Sequence, residues 1–201
     1  QSGEYIIVFN GEIYNFKELA KKYQLNTRTK SDTEVLLETY ILRGEKILEE
    51  LNGMFAFAIF NKKTKEVFIA RDRIGIKPIY FTFTNSEFVF ASELKWIKHL
   101  RSNFSINKQS VYDYFHLGYI PEPNTIYENI NKFPSGSYLK FSVGDNNPEI
   151  KSYWSVENNL HNSNNISDNP GQELKSLLQK SVKRRLIADV PVGVFLSGGI
   201  D

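Results

Sequence analysis

Two short stretches carry residue types suited to chemistry. In Asn10-Gly11-Glu12, a side-chain amide and a glycine backbone N–H stand side by side, just after the apolar run Tyr5-Ile6-Ile7-Val8-Phe9. Two such donors can hold the negative oxygen that forms when a nucleophile adds to a carbonyl. The same dipeptide after a strand also reads as a two-residue hairpin turn. Asp32, at the start of a helical pattern, is an acid that a helix N-terminus keeps ionised; it equally reads as a simple cap. The second stretch is Ser197-Gly198-Gly199-Ile200-Asp201, which follows Val190-Pro191-Val192-Gly193-Val194-Phe195-Leu196. A strand that ends in a glycine-rich turn presents backbone N–H groups to phosphate. The glycine spacing and the Gly-Lys-Ser/Thr ending of a Walker A loop are absent, and by itself a Ser-Gly-Gly turn also reads as a linker.

Composition narrows the chemistry. The 201 residues hold 25 basic and 23 acidic side chains, a net charge of +2, with no basic block, so neither nucleic acid nor an anionic membrane is expected as a partner. The longest apolar run, residues 54–60, is too short to span a bilayer. Gln1-Ser2-Gly3-Glu4 has no basic head and no hydrophobic stretch, so no signal peptide is expected and the expected location is cytoplasmic. The absence of cysteine rules out disulfides, thiolate metal sites and a cysteine nucleophile within these residues. His99, His116 and His161 show no ligand spacing and read as surface or packing residues. A start almost on a core strand and an end inside a working loop suggest a fragment of a longer protein.

The elements that must position these residues follow from periodicity. Residues 5–9 read as a buried strand, and residues 15–22 as a helix capped by Asn15. A short strand is expected at 24–29. A helix then starts at Ser31-Asp32-Thr33-Glu34, with capping-box spacing, and stops at Gly44. In residues 54–60 small and aromatic side chains alternate, as suits a strand packed on both faces. Residues 66–70 return antiparallel, and 78–84 with 87–91 form a hairpin across Asn85-Ser86. Helices over 92–98 and 108–115 and a strand over 137–142 complete an α+β layered domain. Residues 157–169 are rich in Asn, Ser and Asp and form the clearest linker. Beyond it, Leu174, Leu177, Leu178, Val182 and Leu186 trace one helical face, and residues 190–196 read as a buried parallel strand.

Together the segments resemble the glutamine-dependent asparagine synthetases. The resemblance is carried by seven stretches in order: Phe9-Asn10-Gly11-Glu12-Ile13-Tyr14-Asn15, Ser31-Asp32-Thr33-Glu34, Gly53-Met54-Phe55-Ala56-Phe57-Ala58, Ala70-Arg71-Asp72-Arg73-Ile74-Gly75-Ile76-Lys77-Pro78, Phe90-Ala91-Ser92-Glu93, Asp189-Val190-Pro191-Val192-Gly193 and Ser197-Gly198-Gly199-Ile200-Asp201. Each is weak alone, whereas the ordered set is specific.

The resemblance implies a class II glutaminase domain over 1–156 with an N-terminal-nucleophile αββα sandwich, a linker over 157–170, and from 171 to 201 the opening of an α/β ATP-pyrophosphatase domain. It implies that the Asn10 side chain and the Gly11 N–H form an oxyanion hole, and that Glu12 and Asp32 bind the α-amino group of glutamine. It places Phe195, Ser197, Gly198 and Gly199 around ATP, and Asp201 on magnesium or pyrophosphate. Glutamine, ATP and aspartate are the implied substrates, Mg²⁺ the implied ion, and a homodimer the implied assembly. The nucleophilic cysteine and the arginine segment for the substrate carboxylate are missing from these residues, so the chain alone is expected to be inactive. The 71–78 motif is read as structural, through loop and domain-interface pairing. Two other readings remain: an amidotransferase of the same architecture acting on another carboxylate, such as a sugar acid, and a non-catalytic module that kept the fold.

Overall fold

The computed structural model describes residues 3–84, 87–100, 104–145, 148–160, 168–188, 190–195 and 198. The chain divides into two compact units, residues 1–160 and residues 161–201.

The first unit is built around a five-stranded antiparallel sheet in the order β1-β2-β3-β7-β8: β1 Tyr5–Ile13, β2 Gly53–Asn61, β3 Glu66–Arg71, β7 Ser137–Ser142 and β8 Ile150–Ser152. A smaller sheet has the order β5-β4-β6, with β4 Tyr80–Thr84, β5 Glu87–Ala91 and β6 Asn131–Lys132. Helices α1 (Phe16–Lys22) and α2 (Asp32–Arg43) cover the outer face of the large sheet. Helix α3 (Leu94–Leu100) packs on β4 and β5, and α4 (Lys108–Leu117) follows it. The layers run helix, sheet, sheet, helix, the expected αββα sandwich.

The alternation in β2 explains the layering. Phe55, Phe57 and Ile59 point into a core with Leu19, Val35, Leu36, Tyr40 and Phe68 under the helices. Ala56 and Ala58 point the other way, into the inter-sheet core with Ile69, Ile79, Phe133 and Leu139. A strand buried on both faces needs apolar residues at every position, and the small alanines leave room for the facing sheet. Phe68 is fully buried; its ring stacks on Tyr40 at 4.7 Å between centroids and meets Phe57 and Tyr138 at 6.0 and 5.6 Å.

Several local expectations are corrected. Asn10-Gly11 is not a turn: β1 continues through it to Ile13, paired with β2 in unbroken register. Residues 24–29 form no strand, because Gln24 sits at φ +49° and the amides of Arg28 and Thr29 donate to the Glu34 carboxylate instead of a ladder. Glu34 is thereby withdrawn from the expected capping box, although Ser31 Oγ does accept the Thr33 N–H. Asn15 starts α1 without a side-chain cap; its amide group instead clamps the Glu50 carbonyl and the Asn52 N–H. Beyond the expected elements, the chain adds the two-residue β6, the three-residue β8 and α5 (Val156–Leu160), which makes the start of the expected linker helical.

In the second unit α6 (Pro170–Arg185) is capped by Asn169, whose side chain accepts the Gln172 N–H. Its stripe of Leu174, Leu177, Leu178 and Val182 is exposed. The expected buried strand is absent from residues 190–195, which are irregular, with Val190, Val192 and Val194 exposed. A parallel strand needs ladder neighbours, and the described residues of this unit supply none.

Phe68→Ala should destabilise the first unit by about 3–5 kcal/mol, because it opens a cavity where three aromatic neighbours meet. Urea unfolding followed by aromatic circular dichroism measures this.

Candidate active site

The candidate residues gather at one end of β1, an edge strand of the large sheet. Ladder alternation decides which way its backbone groups point. At one end of the β1–β2 pairing the Glu4 carbonyl accepts the Lys62 N–H, and at the other the Tyr14 N–H donates to the Asn52 carbonyl. In an antiparallel pair the hydrogen-bonded positions alternate. Even-numbered residues of β1 therefore bond to β2, and odd-numbered residues direct N–H and C=O to the outer edge. The Ile13 N–H confirms the assignment by donating outward to Asp32 Oδ2 at 3.0 Å. The Gly11 N–H, two residues earlier, faces the same edge.

Gly11 is required where it stands. Its φ is +154°, and a Cβ there would lie 2.2 Å from the Met54 carbonyl oxygen and 2.7 Å from Phe55 Cα. A Cβ added at Gly53 would meet the Glu12 carbonyl oxygen equally closely, at 2.3 Å. The two glycines let β1 and β2 approach beyond what any side chain permits.

Side chains alternate as strictly as the amides. Tyr5, Ile7, Phe9 and Ile13 pack on the core under the helices. Ile6, Val8 and Asn10 are exposed on the opposite face, and Glu12, half-buried, shares it. The structure thus places Asn10 and Glu12 on one face of β1, the Gly11 amide on its edge, and Asp32 against that edge from the first turn of α2. Asp32 is more than a cap: its carboxylate ties α2 to the end of the strand. A cavity of about 790 Å³ lies farther along, lined by Tyr5, Ile7, Ser31, Thr33, Glu34 and Leu37, and does not include Asn10, Gly11 or Glu12.

Sequence reasoning missed how far the pair at the end of β3, Arg71 and Asp72, governs this region. Asp72 is 1% exposed, and its carboxylate accepts four backbone N–H groups: Phe55 at 3.2 Å, Ile74 at 3.3 Å, Ile76 at 2.9 Å and Lys77 at 3.0 Å. Arg71, also buried, donates to the carbonyls of Gly75, Lys77 and Phe133 and pairs with Glu122. Tyr153 donates its hydroxyl to the Arg71 carbonyl at 2.9 Å, and burial pushes the pKa of this phenol up. The signal was available, since an Arg-Asp pair directly after an apolar strand has little reason to be there unless it binds backbone.

The residues expected around a nucleotide are only partly described. Ser197, Gly199 and Asp201 lie outside the described residues. Phe195 is fully exposed. Gly198 has φ +73° with open space where a Cβ would stand, backbone freedom that a phosphate-cradling turn uses. Among the described residues no group of three or more His, Cys, Asp or Glu is placed to hold a metal, and no helix is long and apolar enough to cross a membrane.

Comparison with known proteins agrees with this architecture. The family model described as "Glutamine amidotransferase domain" matches residues 1–154, and that described as "Asparagine synthase" matches residues 173–201. The chain is 45% identical to "Putative asparagine synthetase (glutamine-hydrolyzing) 2" of Methanocaldococcus jannaschii, covering 98% of this chain and 38% of that protein. It is 40% identical to asparagine synthetase 1 of Bacillus subtilis, over 98% of this chain and 31% of the relative. Asparagine synthetase B of Escherichia coli is 34% identical over the whole chain, which spans 31% of it. The chain thus spans about a third of the length of these relatives. Among solved structures, glutamine phosphoribosylpyrophosphate amidotransferase from B. subtilis shares the fold at a TM-score of 0.50 and 20% identity, over 77% of this chain and 30% of that one. An enzyme of purine biosynthesis matches at the same score and identity, over 75% and 28%. With one model matched across the sandwich and the other taking up beyond α5, the chain belongs to the glutamine amidotransferase family, in the form joined to an asparagine synthase domain.

Proposed function

We propose that the chain is the glutaminase region, with the opening of the ligase region, of an enzyme that hydrolyses glutamine and uses ATP to convert aspartate to asparagine, releasing AMP and pyrophosphate. The observation that carries this reading is the outward-facing Gly11 N–H beside the exposed Asn10 side chain, at the edge where Asp32 is fixed.

Attack on the side-chain carbonyl of glutamine places negative charge on its oxygen. An outward N–H on a strand that its neighbours hold in a ladder needs no reorganisation to receive that charge, and the Asn10 amide supplies a second donor. Collapse of the tetrahedral species restores the carbonyl and breaks the C–N bond, the nitrogen taking up the proton that the nucleophile released and leaving as ammonia, with an acyl group on the nucleophile for water to remove. The nucleophile is not among these 201 residues, which contain no cysteine, so the chain alone is proposed to lack glutaminase activity. Glu12 and Asp32 are the carboxylates proposed to hold the substrate ammonium. Asp32 Oδ2 accepts the Ile13 N–H and Oδ1 accepts a long bond, 3.4 Å, from the Thr33 hydroxyl, which leaves lone-pair capacity on Oδ1 for a cation.

In the second unit, Ser197, Gly198 and Gly199 are proposed to cradle the ATP phosphates, with Phe195 beside the nucleotide and Asp201 on magnesium or pyrophosphate. The open, positive-φ backbone at Gly198 supports that assignment. The proposed domain limits are 1–156 and 171–201 around a linker. A cytoplasmic location and a homodimer belong to the same reading.

The complete enzyme, given glutamine, ATP, magnesium and aspartate, should form asparagine and glutamate; formation of glutamate without asparagine refutes the acceptor assignment. Asn10→Ala should lower glutamine-driven synthesis ~10²–10³-fold while synthesis from free ammonia survives, and equal loss of both refutes the oxyanion role. Asp201→Ala should abolish synthesis and leave glutamine hydrolysis measurable; persistent synthesis removes Asp201 from the metal or phosphate site.

A further inference from the structure

The aim of the Gly11 amide is set from the far side of β2. Phe55 lies directly opposite Gly11, at a position where the two strands exchange no hydrogen bonds. The N–H and C=O of Phe55 therefore face β3, and Asp72 holds both. Its carboxylate accepts the Phe55 N–H at 3.2 Å, and its own N–H donates to the Phe55 carbonyl at 2.8 Å. On the other side, the Gly11 backbone rests on the Met54–Phe55 peptide with no side chain between them to absorb a shift. Displacement of that peptide passes directly to the peptide carrying the Gly11 N–H.

Asp72 has no spare capacity for a substrate. A carboxylate offers about four lone-pair sites, and the four backbone N–H groups that Asp72 accepts account for them. It is also buried, at 1% exposure. A group so saturated acts through what it holds.

We infer that Asp72 is a positioning residue for glutamine hydrolysis: by fixing the Phe55 peptide it sets the direction of the Gly11 N–H across the ladder. The inference rests on the reading of Gly11 as an oxyanion donor. An oxyanion donor acts more on the transition state than on bound substrate, so loss of its alignment lowers kcat and leaves KM nearly unchanged.

The test is Asp72→Asn in the complete enzyme. The substitution keeps the shape but turns one acceptor oxygen into an NH₂ that confronts two N–H donors. The expected result is a fall of roughly 10-fold or more in kcat for glutamine hydrolysis, with the glutamine KM within about two-fold and ammonia-driven synthesis retained. A raised KM at unchanged kcat, or unchanged hydrolysis, overturns the inference. Where Asp72→Asn fails to accumulate, Asp72→Glu, which keeps the charge and both acceptor oxygens one methylene farther out, is read by the same split. Asn10→Ala assayed alongside separates the two levels: if it leaves hydrolysis intact, the oxyanion reading itself fails. If it lowers kcat and the Asp72 variants do not, only the role of Asp72 fails.

Discussion

The loop after β3 is held by a division of labour between adjacent residues of opposite charge. Asp72 collects backbone amides, from Ile74, Ile76 and Lys77, while Arg71 collects carbonyls, from Gly75 and Lys77. The pair does for an irregular loop what a ladder does for a strand, and does it inside the protein, where an unmade hydrogen bond is expensive. Burying a carboxylate and a guanidinium would be strongly unfavourable if either were left with open valences. Here four backbone amides saturate Asp72, while three backbone carbonyls and the Glu122 carboxylate meet Arg71, and the cost of burial is spread over contacts that reach β2 through Phe55, the 133–136 segment through Phe133 and Gly136, and the end of β8 through Tyr153. The β1 edge, the loop and the entrance to β7 share this anchor.

What could be read from the sequence was whatever repeats with a period. The Phe/Ala alternation of 54–60 announced a strand buried on two faces, because each face imposes its own size limit on every second residue. Helices α2 and α6 were visible from the spacing of their apolar residues, and α2 also from its Ser31 start. Two-residue and three-residue strands such as β6 and β8 are too short to carry a period and exist only because a neighbour pairs with them.

The misreadings have a common source. Asn-Gly carries a strong local preference for a turn, yet the choice was made by β2, whose Gly53 lets the two backbones close together. Glu34 had capping-box spacing but found better donors at Arg28 and Thr29. Asp32 was legible as an acid at a helix start, while its bond to the Ile13 amide depends on a packing of α2 that no local rule encodes. Residues 190–195 had the composition of a buried strand without the pairing that makes one. In each case a side chain or backbone group obeyed the partner it met in space.

The alternation along β1 constrains more than the present residues. Ile7 must face the helices and the Gly11 amide must face the open edge, and the offset of four residues from one to the other satisfies both because it is even. Adding or removing a single residue there sets the two demands against each other: either the core side chains turn outward or the amide turns inward to β2. Lengthening by two residues, or a bulge that absorbs the extra one, keeps them compatible. Unless a bulge forms, this segment can therefore change its length across generations only in pairs, so that its composition is freer to drift than its count.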